Sequence, residues 1–153
     1  MPVKLSEALI ERAEIQKKNG QLMNRIKSNT KVQEGDSPSE KPEELIAEYE
    51  KNMERFLELV KRINQTNSKT AFDENSSIAD AIAYRDFLGA KIGSYRDIYE
   101  SATINRDRYN RNEIKFVRCI DSKELQSKID RLSKEYRELD TKLQGLNWMV
   151  DLL

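Results

Sequence analysis

Residues 121–150, DSKELQSKIDRLSKEYRELDTKLQGLNWMV, decide how this chain folds. Within them Leu125, Ile129, Leu132, Tyr136, Leu139, Leu143, Leu146 and Val150 follow one another at steps of 4, 3, 4, 3, 4, 3 and 4 residues. Their mean step of about 3.5 residues is the heptad period of left-handed, knobs-into-holes helix packing. Asp121 followed by Glu124 reads as a capping box with Asp in place of the usual Ser or Thr. The spacing predicts one long helix with a single apolar seam, and such a seam needs other helices to face it.

The remaining sequence supplies them. Leu5, Ala8, Leu9, Ile15, Leu22, Met23 and Ile26 fall on one side of a helix predicted over Leu5–Ser28, with Ser6 as its N-cap. Residues 29–42 are polar and carry Gly35-Asp36 and Ser37-Pro38, so they read as a loop. A second helix opens at Glu43-Glu44-Leu45 and runs to about Asn64, with Leu45, Tyr49, Met53, Phe56, Val60 and Ile63 as its stripe. A third runs from Ser76 or Ser77 to about Ala102, with Ile78, Ala81, Ile82, Leu88, Ile92, Tyr95 and Tyr99 on its apolar face. Residues 113–120 are β-branched and aromatic-rich and read as a short strand, whose mate would be Lys69–Phe72. The expected fold is mainly all-α. It is a single domain over residues 1–153, a bundle of about four long antiparallel helices with coiled-coil-like packing and a small two-stranded β element.

Composition excludes several functions. The 153 residues include 27 Lys or Arg, 27 Asp or Glu and no His, so there is no Ser/His/Asp triad, Cys/His pair or imidazole metal site. A net charge of zero gives no strong nucleic-acid signal. Mean hydropathy is −0.82 and no stretch approaches 18 apolar residues, so no transmembrane segment is expected. Cys119 is the sole cysteine and reads as a small buried hydrophobe rather than a nucleophile. No secretory leader is visible at the N-terminus, and a cytoplasmic location is the expectation. No catalytic residue, cofactor or metal site is implied.

The charged residues are not evenly spread. Residues 34–58 hold nine acids against three bases, a net −6, with Glu50, Glu54 and Glu58 on the outer face of the second helix. Residues 104–118 hold Arg106, Arg108, Arg111, Lys115 and Arg118 against two acids, a net +3. Such blocks suit contact between copies of the chain, or between the basic segment and a phosphate-bearing surface. Arginines also fall on apolar faces. Tyr84-Arg85-Asp86 recurs as Tyr95-Arg96-Asp97, and eleven steps of about 100° return to within about 20° of the start. Arg12 lies similarly within the stripe of the first helix, beside Gln16 and Asn19. Guanidinium groups there call for carboxylate partners or for a bound small anion. Gly89 and Gly93 form a G-x-x-x-G pair that suits close helix approach in a soluble bundle.

The chain resembles an uncharacterised bacterial family of all-helical proteins often labelled septicolysin-like. The likeness runs through Leu5-Ser6-Glu7-Ala8-Leu9-Ile10-Glu11-Arg12, Val32-Gln33-Glu34-Gly35, Pro42-Glu43-Glu44-Leu45 and Ile63-Asn64-Gln65-Thr66-Asn67-Ser68-Lys69-Thr70. Arg85-Asp86, Tyr95-Arg96-Asp97, Glu113-Ile114-Lys115, Leu139-Asp140 and Asn147-Trp148 complete it. The turn after Phe72 departs from the family pattern, with Asp73-Glu74-Asn75 in place of an Asp-Gly type. The resemblance implies a helical bundle with a small β element and homo-oligomers, and its label implies a pore-forming cytolysin. It brings no catalytic residues.

The leading expectation is a non-enzymatic, self-assembling helical protein. Its interface would use Asn64, Thr66, Asn67, Arg108, Arg111 and Trp148. The cytolysin is the alternative, and a third reading is an anion- or nucleotide-binding protein using Arg12, Arg85 and Arg96.

Overall fold

A computed structural model describes residues 1–104 and 114–153. They form four long helices: α1 (Leu5–Ser28), α2 (Pro42–Lys69), α3 (Ile78–Ser101) and α4 (Ser122–Met149). Two compact units result. One comprises Met1–Ile78 with Gly145–Leu153, the other Ala79–Gln144.

In the first unit α1 and α2 pack antiparallel. Leu22 and Ile26 of α1 meet Leu45 of α2, with Tyr49 against them. Nearer the other end, Arg55 grips Glu11 with two parallel hydrogen bonds, Nε to Oε1 at 2.7 Å and Nη2 to Oε2 at 3.0 Å, while Nη1 holds Glu58 at 2.9 Å. Between them Asn52 donates to the buried Asn19 at 3.1 Å, and Asn19 donates to the Met53 sulfur at 3.3 Å. A buried amide that finds its acceptor and donor on the facing helix fixes how far one helix slides along the other. Of the three polar positions in α1, Asn19 is buried, Arg12 is half-buried and Gln16 is exposed.

The loop between α1 and α2 closes on local bonds. Asp36 N donates to Gln33 O at 3.0 Å across a turn in which Gly35 takes φ +93°, the left-handed conformation that glycine adopts without a Cβ clash. Asn29 ties the loop to α1, donating to Arg25 O at 2.8 Å and accepting from Glu40 N at 3.1 Å.

The chain ends are clamped together in the same unit. Leu5 N donates to Val150 O and Leu152 N to Val3 O, at 2.9 and 2.8 Å. Thr66, fully buried, holds the last residue: its hydroxyl donates to Arg62 O at 2.8 Å and accepts from Leu153 N at 2.9 Å.

In the second unit α3 and α4 also run antiparallel. Leu88 and Ile92 bury against Ile129 and Leu132, with Tyr95, Leu125, Tyr136 and Leu139 packed around them. Leu125, Ile129, Leu132, Tyr136 and Leu139 are five consecutive members of the seam read from the sequence. Asp121 caps α4, its Oδ1 accepting from Lys123 N at 3.0 Å and Glu124 N at 3.2 Å. Gly89 brings the helices close: a Cβ there would stand 3.3 Å from the Tyr136 ring. Gly93 faces open space.

Several expectations need correction. The β element of 69–72 with 113–120 does not form. Lys69 is the last residue of α2, and residues 114–120 contain no strand, while Glu113 lies outside the described residues. Ala71 instead makes an isolated antiparallel bridge with Ser77, across a turn closed by the Asp73 carboxylate, which accepts from Asn75 N and from the Ser76 hydroxyl at 2.8 Å each. The edge that residues 113–120 would have used is spent locally. α2 also runs five residues past Asn64; within that stretch the Thr66 hydroxyl bonds back to Arg62 O, where it does not compete for the helix's backbone N–H groups. Ser6 is not the N-cap of α1. Lys4 holds that position, with the Glu7 carboxylate accepting its backbone N–H at 3.0 Å.

Two tests follow from these contacts. Replacing Thr66 with Val leaves Leu153 N–H without its acceptor. The expected loss is about 1–2 kcal/mol of stability in urea unfolding; an unchanged midpoint contradicts the clamp. The Glu11 carboxyl is held below its ordinary value, first by hydrogen bonding to Arg55. A lowered folded-state pKa gives stability that is present above the unfolded value of about 4.5 and is lost as pH falls through the folded value. Both partners are more than a third exposed, so the discounted contribution is about 0.5–1 kcal/mol. Glu11→Gln is expected to lower stability by that amount at pH 7 and to match the parent near pH 3, measured by urea unfolding at both.

Candidate functional site

The three arginines placed on apolar faces have different surroundings. Arg12 belongs to the first unit, where it is half-buried and has no carboxylate partner among the described residues. Arg85 and Arg96 belong to the second. Arg85 is one-quarter exposed and bridges Asp140 of α4 at 3.0 Å and its neighbour Asp86 at 3.3 Å. Burial works against its charge while the two carboxylates favour it, and its pKa ends above the ordinary value. This is an interhelical ion pair between α3 and α4. Beside it the Tyr84 hydroxyl donates to Glu135, which raises the tyrosine's pKa.

Arg96 lies eleven residues further along α3, about 16 Å at 1.5 Å per residue. It is exposed and has no carboxylate partner among the described residues. It lines two adjoining clefts between α3 and α4. One, of about 420 Å³, is bounded by Arg96, Tyr99, Gln126, Ile129, Asp130, Ser133 and Arg137. The other, of about 330 Å³, is bounded by Gly89, Ile92, Gly93, Arg96, Ser133, Tyr136 and Arg137. Arg96, Ser133 and Arg137 are common to both. The Ser133 hydroxyl oxygen is shielded from solvent and has no hydrogen-bond partner among the described residues. Sequence reasoning reached Arg96 but missed Ser133 and Arg137. Both flank the α4 seam, where a serine and an arginine look like ordinary solvated positions.

The expected interface residues separate as well. Thr66 is fully buried in the clamp, Asn64 is exposed and Asn67 is half-buried. Trp148 is 62% exposed beside Met149 at 73%. Arg108 and Arg111 lie outside the described residues, as does Arg106 of the basic segment. Of that segment's remaining cations, Lys115 is exposed and Arg118 donates to Ala102 O at 3.0 Å.

A further apolar surface lies on α2. Ile46, Met53 and Leu57 are exposed at 42%, 40% and 54%, and lie within about 40° of one another around the helix. Met53, Phe56, Leu57 and Val60 line a shallow, almost wholly apolar depression with Glu54 at its edge. The stripe read from the sequence treated Met53 and Val60 as core. The core position is Leu59, which is fully buried and was not in that stripe.

Among the described residues no group of His, Cys, Asp and Glu has the makings of a metal site, and no helix is long and apolar enough to cross a membrane. No curated protein matches the chain. A protein of Corynebacterium diphtheriae, known from a crystal structure and described as functionally unknown and conserved, is 42% identical over 100% of both chains, with a TM-score of 0.94. A family model described as a family of unknown function, DUF6847, matches residues 12–152. That match spans nearly the whole sequence, and the chain belongs to this family.

Proposed function

We propose that this protein is a non-catalytic, self-assembling helical protein, and that the outer stripe of α2 is its contact with a second copy. The observation that carries this reading is the exposure of Ile46, Met53 and Leu57 on one face of a helix whose neighbouring stripe, about a quarter-turn away, is already buried against α1. Apolar side chains gathered in one patch are a hallmark of contact surfaces, unlike the same residues scattered singly.

Charge supports a second copy as the occupant. The stripe is flanked by Glu50 and Glu54 in the acidic block, and the same chain carries the basic block of residues 104–118. Opposite blocks on one chain attract between copies and also steer their encounter. The absence of histidine removes the commonest general base and supports a role that needs no proton transfer.

Light scattering on the purified protein at low and high salt tests this reading. At least twice the chain mass is expected at tens of micromolar in low salt. Leu57→Glu sits at an exposed position and should leave the helices intact, yet weaken association at least tenfold. A strict monomer at low salt overturns the proposal. The cytolysin suggested by the resemblance is tested with the same sample. Dye-loaded liposomes are expected to stay sealed, and release of dye overturns the non-lytic reading.

A further inference from the structure

We infer that the paired clefts between α3 and α4 form a binding site for a phosphate monoester carried on a flat apolar body. The phosphate would sit where the two clefts meet, at Arg96, Arg137 and Ser133. Three features place it there.

First, neither Arg96 nor Arg137 has a carboxylate partner among the described residues, unlike Arg25, Arg55 and Arg85 and like Arg12 and Arg131; what sets this pair apart is that both face the same groove. One guanidinium comes from each helix, and both line both clefts. A carboxylate is satisfied by a single arginine fork, whereas a phosphate monoester has three terminal oxygens and can take two. Second, the Ser133 hydroxyl lies on the same shared wall without a partner among the described residues. A buried hydroxyl left in that state is costly, and serine can turn to another staggered rotamer and donate into the groove. Third, the two clefts differ in chemistry on either side of the shared residues.

On one side the walls are Gly89, Ile92, Gly93 and Tyr136, with nothing within 4 Å of where a Gly93 Cβ would stand. That space admits a flat, apolar body between the helices. On the other side Tyr99, Gln126 and Asp130 offer a phenol, an amide and a carboxylate, with the Gln126 amide donating to Asp130 at 2.9 Å. Asp130 would repel an anion. It lines only this outer cleft, and so sets the phosphate at the junction and the apolar body on the glycine side. The site lies wholly within the second unit and does not depend on assembly through α2.

Phenyl phosphate and inorganic phosphate are the probes, titrated calorimetrically into the full chain. Phenyl phosphate is expected to bind with a dissociation constant below 1 mM, at least tenfold tighter than inorganic phosphate. Arg96→Ala together with Arg137→Ala should weaken both ligands at least tenfold, and Ser133→Ala should weaken both by a smaller factor. Gly93→Leu separates the two parts of the site: it fills the apolar cleft, so phenyl phosphate should fall to the level of inorganic phosphate while inorganic phosphate is unchanged. Both arginines are exposed, and the Gly93 Cβ meets open space, so the helical circular dichroism of every variant should match the parent. The site is refuted by the absence of phenyl phosphate binding at millimolar concentration, by binding that the double arginine variant leaves unaltered, or by equal affinity for the two probes.

Discussion

A layer of two helices can bury only one stripe on each helix, and the rest of this structure follows from that constraint. Each unit is built on such a pair. In the second, the heptad seam of α4 supplies one stripe and α3 answers it with Leu88, Ile92 and Tyr95. In the first, α2 carries apolar residues on two stripes. Leu45, Leu59 and Ile63 are buried, whereas Ile46, Met53 and Leu57 lie a quarter-turn away and stay exposed. Burial of apolar surface contributes roughly 25 cal/mol per Å², so a second stripe left in water is a standing reason to associate.

Polar contacts decide which pairing each layer adopts. A heptad seam looks much the same after a shift of one repeat, so hydrophobic burial sets register weakly. Asn19 with Asn52, Arg55 with Glu11 and Arg85 with Asp140 each join specific positions on facing helices. The Gly89–Tyr136 contact adds a steric mark of the same kind, since a longer side chain at that point forces the ring aside. Removing both partners of such a pair would cost little stability, but it would remove what tells one register from the next.

How much of this could be read in the sequence depends on how local the cause is. The α4 seam and its Asp121 cap were legible because helical period and capping are set by neighbouring residues. The bounds of α1 were legible from its period alone, since the cap expected at Ser6 is Lys4 instead. The end of α2 was not: Thr66 and its polar neighbours read as a turn, whereas Thr66 is fully buried inside the helix and holds Leu153, a docking that local sequence does not show. The strand expected at residues 113–120 rested on β-branched composition, which cannot see that Ala71 pairs with Ser77 instead. Of the arginines, the sequence placed all three on apolar faces. It could not see that Arg85 meets Asp140 across the interface while Arg96 meets no carboxylate among the described residues.

Assembly, as proposed, covers the Ile46, Met53 and Leu57 stripe with another copy of the chain. The Met53 methyl group reports on it directly. With methyl-labelled methionine and a soluble paramagnetic relaxation agent, the Met53 methyl is expected to be shielded at high protein concentration and to become accessible on dilution. Met1, fully exposed, should be relaxed equally at every concentration. A Met53 methyl that is as accessible as Met1 throughout the dilution series would contradict the account.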